Sequence, residues 1–208
     1  PELTERRQRF GLNTKRPILG LMPGSRRGEI QHHLQDQIRA ASLLKKRRPE
    51  LEVVLLVAPT LNPEWLKSQL PPLDFPLKLI QKSPFEMISI CDVILAASGT
   101  ATLMVGLLEK PMVIMYKASP FTVWFATTFL IKKPRFFGLS NIILDEMASQ
   151  ELFQSYATPD RMAQELEPLL FDARKFEDQK AKLRKLKDLL GGGNATKRVL
   201  EVLKRYLR

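Results

Sequence analysis

Five short apolar runs, "PILGLM", "LEVVLLVA", "LKLIQ", "VILAA" and "MVIMY", recur between Pro17 and Tyr116, separated by stretches whose apolar residues follow a helical period. Buried strands of a parallel sheet read as such continuous runs, because both of their faces are covered, and the intervening helices supply the crossovers. The pattern predicts strands at 18–22, 51–58, 77–81, 93–97 and 112–116, with helices at 29–47, 62–69, 84–90 and 100–109. Pro23, Pro49, Pro59, Pro84 and Pro111 all fall at the proposed junctions, where a missing backbone donor does least harm. The expectation is an α/β fold: a Rossmann-like, doubly wound, mostly parallel sheet followed by C-terminal helices.

With 208 residues, 44% of them apolar, the chain has enough material for a sizeable core. Its longest apolar runs fall far short of the roughly 20 residues that cross a bilayer as a helix. A lone cysteine, Cys91, rules out an internal disulfide framework, and with His32 and His33 it forms no zinc-ligand spacing. The expectation is a reducing compartment with no metal and no cofactor. The opening "PELTERRQRFGL" has no initiator Met, apolar targeting core or cleavage site, and reads as the interior of a longer protein.

The formal charge of +11 is uneven, because residues 173–208 hold twelve Lys or Arg against four Asp or Glu. Such a segment suits an anionic lipid surface, a phosphorylated substrate or plain solvent. Nucleic acid is disfavoured, since no aromatic and basic residues interleave along a strand as a base-stacking platform requires.

Ligands of open parallel sheets gather beyond the carboxyl ends of the strands, and two distinctive turns follow strands here. In "PGSRRGE", Gly24 permits an unusual backbone shape, Ser25 is a candidate helix cap, and Arg26 or Arg27 adds a forked donor suited to phosphate. In "ASGTATL", Ser98, Gly99, Thr100 and Thr102 surround another helix start, where small residues let a diphosphate approach the backbone amides. A plain cap accounts for either turn singly, whereas two on one sheet point to a nucleotide. Neither is the dinucleotide fingerprint or a Walker loop.

These motifs, with "KPMVIMYK", "PFTVWFA", "GLSNII" and "ELFQ...ATPDRMAQEL" in order over about residues 12 to 170, resemble lipid-A-disaccharide synthase. That family comprises inverting glycosyltransferases of the two-domain GT-B type (family 19) that act in lipid A and lipopolysaccharide biosynthesis. The resemblance implies transfer of 2,3-diacylglucosamine from UDP-2,3-diacylglucosamine to 2,3-diacylglucosamine 1-phosphate, releasing UDP. It further implies that this chain is the donor-binding half and inactive alone, the acceptor side and the general base lying in a missing N-terminal domain. Residues 1–16 would then be an interdomain segment, 17–157 the UDP-sugar-binding domain and 158–208 a helical tail that returns to the first domain or meets a second copy as a homodimer. The implied location is the cytoplasmic face of a Gram-negative inner membrane, with peripheral membrane contact.

Residue by residue, the resemblance makes Arg26 and Asn141 the family-essential residues. It makes Gly24, Ser25, Arg26, Ser98, Gly99, Thr100, Asn141 and Gln154 the nucleotide-binding set. A metal is not required, because a helix dipole and an arginine can stabilise a leaving diphosphate. Three positions depart from the family: Met104 replaces a glutamate expected to hold ribose, Ser140 replaces a proline, and Asp145 and Glu146 stand where Gly and Arg are usual. The two acids are expected to weaken binding if they face the ligand.

Of the two histidines, periodicity predicts that one faces solvent, and Cys91 reads as a small core residue. The stripe in "PFTVWFATTFLIKK" suits either an interfacial helix or a buried one. Two other functions stay open on the residues alone: a noncatalytic nucleotide- or membrane-binding domain, and a UDP-sugar epimerase of similar fold.

Overall fold

The computed structural model describes residues 2–117 and 135–190. The stretch "PFTVWFATTFLIKK" and the end of the expected helical tail, residues 191–208, lie outside the described residues. In chain order the elements are α1 (Glu2–Arg9), β1 (Ile18–Met22), α2 (Arg27–Arg47), β2 (Glu52–Leu56), α3 (Pro63–Ser68), β3 (Lys78–Ile80), α4 (Pro84–Ser89), β4 (Val93–Ala97), α5 (Ala101–Leu107) and β5 (Met112–Tyr116). After the undescribed stretch come α6 (Leu139–Leu144), β6 (Glu151–Phe153), α7 (Pro159–Phe171) and α8 (Ala173–Leu189).

All five strands read from the apolar runs are present, three of them at the expected bounds. Three short elements carry no long periodic pattern and were not anticipated: α1, α6 and β6. The sheet is wholly parallel in the order β3-β2-β1-β4-β5-β6. The chain leaves β1 in one direction through β2 and β3, then returns to the other side of β1 to lay down β4, β5 and β6. This reversal opens a crevice beyond the carboxyl ends of β1 and β4, the usual ligand position in such sheets.

Strand residues sort to two cores by parity, since neighbours along a strand point to opposite faces. Leu19, Leu21, Val53, Leu55, Val93, Leu95, Val113 and Met115 face a core closed by α2 and by Met162, Ala163 and Leu166 of α7. Ile18, Val54, Leu56, Ile94, Met112 and Ile114 face the opposite core, closed by α4, by α5 and by Leu183 and Leu186 of α8. Each such side chain, fully buried, contributes about 1.5–3 kcal/mol. The helices expected to form a tail thus pack onto the sheet, one on each face.

Gln179 fastens α8 further. Its Oε1 accepts from the Met112 amide at 3.2 Å, while its Nε2 donates to the carbonyls of Met112 (2.9 Å) and Ala148 (3.0 Å). The outer face of α8 carries the basic residues, several of them paired: Arg184 and Lys187 with Glu109, and Lys185 with Glu146. At the amino ends of the strands as well, α1 is anchored by the buried Arg7, which donates to the Ile90 carbonyl (2.9 Å) and pairs with Asp92 (2.7 Å). Cys91 is fully buried, and burial pushes its thiol up to about 12.

Candidate functional site

A cleft of about 530 Å³ opens at the crevice between β1 and β4. Gly24, Ser25 and Arg26, from the turn after β1, line one side, and Ser98, Gly99 and Thr100, from the turn after β4, line another. The sequence-predicted seats therefore share one void, because β1 and β4 are hydrogen-bonded neighbours whose carboxyl ends lie level in register. Their apolar companions, including Met22, Leu56, Met87 and Ile88, come from β1, β2 and α4. Met104 is also in the lining, 41% exposed, at the position where the family pattern has a glutamate.

The turn after β1 is built around a carboxylate. Helix α2 starts at Arg27 with Arg26 in the N-cap position, so Ser25 stands one residue before the cap expected of it. Glu29 does the capping instead: its Oε2 accepts from the amides of Ser25 (3.0 Å) and Arg26 (3.3 Å), and its Oε1 accepts from the Arg26 guanidinium (2.8 Å). Burial alone would raise the Glu29 carboxyl, but the hydrogen bonds from Ser25 and Arg26 outweigh it and hold the group below its ordinary range. Gly24 has φ of 127°, and a Cβ there would stand 2.6 Å from Glu29 Oε2, so both backbone shape and space demand glycine. The Arg26 side chain is 82% exposed and open to a ligand.

Behind this turn lies His33, the buried histidine of the pair, while His32 faces solvent. The His33 Nδ1 lies 3.0 Å from the Pro23 carbonyl oxygen, and its Nε2 lies 3.1 Å from the Lys117 amide that donates to it. A neutral ring protonated on Nδ1 donates to Pro23 and accepts from the Lys117 amide, while the Lys117 carbonyl oxygen also stands 3.0 Å from Nε2. Burial depresses its pKa below the usual 6.5 despite these backbone partners. The ring ties the phosphate-side turn to the end of β5.

Asn141 lies elsewhere. It is fully buried in α6 and is not among the lining residues of the cleft. Its amide nitrogen donates to the Ser149 carbonyl (2.7 Å) and to Glu151 (2.8 Å), while its oxygen accepts from the Ser149 amide (2.9 Å). Both polar atoms of the Asn141 amide are thus engaged within the fold, away from the lining of the cleft. Gln154 opens a 3-10 turn just after the edge strand β6, with φ of 49°, and is likewise outside the cleft lining. Asp145 and Glu146 pair with Arg135 (3.2 Å) and Lys185 (3.1 Å) and do not line the cleft, so the condition under which they would weaken binding there is not met.

Sequence reasoning missed Glu29 and the apolar wall from β2 and α4. The signal for Glu29 was present as an acid in the first turn of a helix that follows an exposed glycine turn. The wall had no local signal, since Leu56 and Met87 meet only through the strand order. Among the described residues, no three His, Cys, Asp or Glu side chains cluster as a metal ion would need, and no helix is long and apolar enough to cross a membrane.

The family model for lipid-A-disaccharide synthetase matches residues 1–203. Among curated relatives, the lipid-A-disaccharide synthase of Trichlorobacter lovleyi is 37% identical over 91% of this chain and 49% of its own length. Among solved structures, a glycosyltransferase from Rickettsia africae superimposes with a TM-score of 0.66 at 14% identity, over 100% of this chain and 52% of that one. The Anabaena protein Alr3699/HepE, solved with UDP-glucose, does so with a TM-score of 0.63 at 13% identity, over 98% of this chain and 52% of that one. These structural likenesses establish the fold, that of one half of a GT-B glycosyltransferase, and the chain spans about half the length of the curated relatives it matches. On the family match across nearly its whole length, the chain belongs to the lipid-A-disaccharide synthetase family.

Proposed function

We propose that the cleft binds a UDP-sugar and that the chain is the donor half of an inverting glycosyltransferase. In this reading the diphosphate lies between Arg26 and the 98–100 turn, and the uracil ring rests on the apolar wall of Met87, Ile88 and Leu56. The observation that carries the reading is the shared void: one exposed guanidinium and two glycine-containing turns open onto the same cleft at the sheet's switch point.

The chemistry follows from charge. When the anomeric carbon–oxygen bond breaks, negative charge builds on the leaving diphosphate. A guanidinium and helix-start amides that meet the diphosphate at that position stabilise the charge. The sugar transferred is 2,3-diacylglucosamine, the acceptor is 2,3-diacylglucosamine 1-phosphate, and the base that activates the acceptor hydroxyl belongs to the preceding domain. The work is done at the cytoplasmic face of a Gram-negative inner membrane, with peripheral contact between protein and lipid.

Asn141 serves this site from outside it, through Glu151 and the 135–138 loop. Calorimetry with UDP tests the reading. Saturable binding by the chain, abolished or strongly weakened in Arg26→Ala, is the expected result. UDP silence with strong binding to anionic vesicles would instead favour a noncatalytic membrane-binding domain.

A further inference from the structure

The donors of the turn after β1 are already engaged by an anion that belongs to the chain. Glu29 takes the Ser25 amide, the Arg26 amide and the Arg26 guanidinium, the three groups at this turn that a phosphate oxygen would use. The turn is wrapped closely around that carboxylate, since no side chain fits at Gly24 beside it. Among the lining residues of the cleft, Arg26 and Glu29 are the charged ones, so the acid stands where a diphosphate would meet its cation. Both can move: Arg26 is 82% exposed and the Glu29 side chain 32% exposed, so neither is locked by packing.

We propose that Glu29 is a displaceable internal occupant of the diphosphate seat, an inference that rests on the cleft being a diphosphate site. An entering diphosphate takes over the Ser25 and Arg26 amides and the guanidinium, and the carboxylate turns outward to water. A diphosphate carries more charge than a carboxylate and offers more acceptor oxygens, so it wins the exchange when present. When it departs, Glu29 returns and keeps the turn in its binding shape. The acid therefore preorganises the seat, lowers its affinity and eases release of the diphosphate product. A carboxylate that served only as a helix cap would strengthen the site, and its neutralisation would weaken binding.

The two roles separate in a titration of the 15N-labelled chain with inorganic pyrophosphate and, in parallel, with UDP. The observables are affinity and the amide resonances of Ser25 and Arg26. Glu29→Gln keeps an acceptor oxygen but loses the charge, and Glu29→Asp keeps the charge but shortens its reach. Both variants are expected to bind pyrophosphate more tightly than wild type, Glu29→Gln by about fivefold, the order set by removing one unit charge near 4 Å from an anion in water-like surroundings. In all three proteins the Ser25 and Arg26 amides are expected to move on titration. Equal or weaker binding by folded Glu29→Gln and Glu29→Asp, or a titration that leaves both amides in place, overturns the proposal. UDP binding with unmoved amides removes the Glu29 exchange but leaves the cleft as a UDP site; no UDP binding in any of the proteins removes both.

Discussion

The hydroxyl of Ser98 donates to the carbonyl oxygen of Phe137 at 2.9 Å, joining the lining of the cleft to a loop 39 residues further along the chain. The same loop is held from behind by Glu151, whose two carboxylate oxygens accept from the amides of Phe137 (2.7 Å) and Gly138 (2.8 Å). Asn141 in turn donates to Glu151. A continuous set of hydrogen bonds thus runs from the buried asparagine to the cleft.

Asn141→Ala is expected to destabilise the fold by about 2–4 kcal/mol, because it leaves the buried Ser149 amide and carbonyl and one Glu151 oxygen short of a partner. UDP affinity should fall together with the melting temperature. Urea unfolding and calorimetry on the same preparation check this. Lost affinity at unchanged stability would instead mean that Asn141 touches the ligand.

Arg26→Ala is the contrasting case. Its side chain is mostly exposed, and its ion pair with Glu29 lies at the surface, where such pairs are worth little. Stability should be unchanged, while UDP binding weakens about tenfold to a hundredfold, the worth of charge-assisted hydrogen bonds to phosphate. A lowered melting temperature or unchanged affinity would count against this assignment.

The His33 imidazole predicts a pH dependence. Its folded-state pKa is depressed by burial, so the unfolded chain binds its proton first as pH falls. The stabilising contribution is whole above about 6.5 and is lost as pH drops toward the folded value. The titratable and charged groups around it are Glu29, His32, Asp36 and Lys117. Comparing unfolding free energies of wild type and His33→Gln at pH 7 and pH 5 isolates the effect: the variant should lose less stability than wild type over that interval. Equal losses would show that His33 does not titrate as described.

Gly20 lies in the middle of β1, and a Cβ there would stand 2.6 Å from Cys91 Sγ and 3.3 Å from Leu56 Cδ1. Gly20→Ala should cost about 1–3 kcal/mol through overpacking. Adding Cys91→Ala removes the sulfur and should restore at least about 1 kcal/mol, a coupling that a double-mutant cycle reads directly. Additive losses would place the strain elsewhere.

The strands were legible because each is a short apolar run between breakers, and that signal is local. The turns at Gly24 and Gly99 were legible for the same reason. α1 and β6 were not, since an eight-residue helix with five charged residues and a three-residue strand have no period to detect. α1 becomes ordered through Arg7 reaching Ile90 and Asp92, contacts more than 80 residues apart. The motif around Asn141 marked the residue as important but said nothing of its surroundings, and the structure finds it spent on Ser149 and Glu151.

Local periodicity and turn chemistry, both carried by neighbours in the chain, were sufficient to establish a parallel α/β sheet with two phosphate-suited turns. Whether those turns would face one void depended on β4 pairing with β1 after the chain reversed direction, a long-range choice made by burying both sheet faces at once. The partners of each polar group were decided there too: Glu29 in the seat, His33 bridging Pro23 and Lys117, Asn141 withdrawn into the core. Hydrogen bonds between distant residues depend on where whole elements pack, and no window of sequence contains that information.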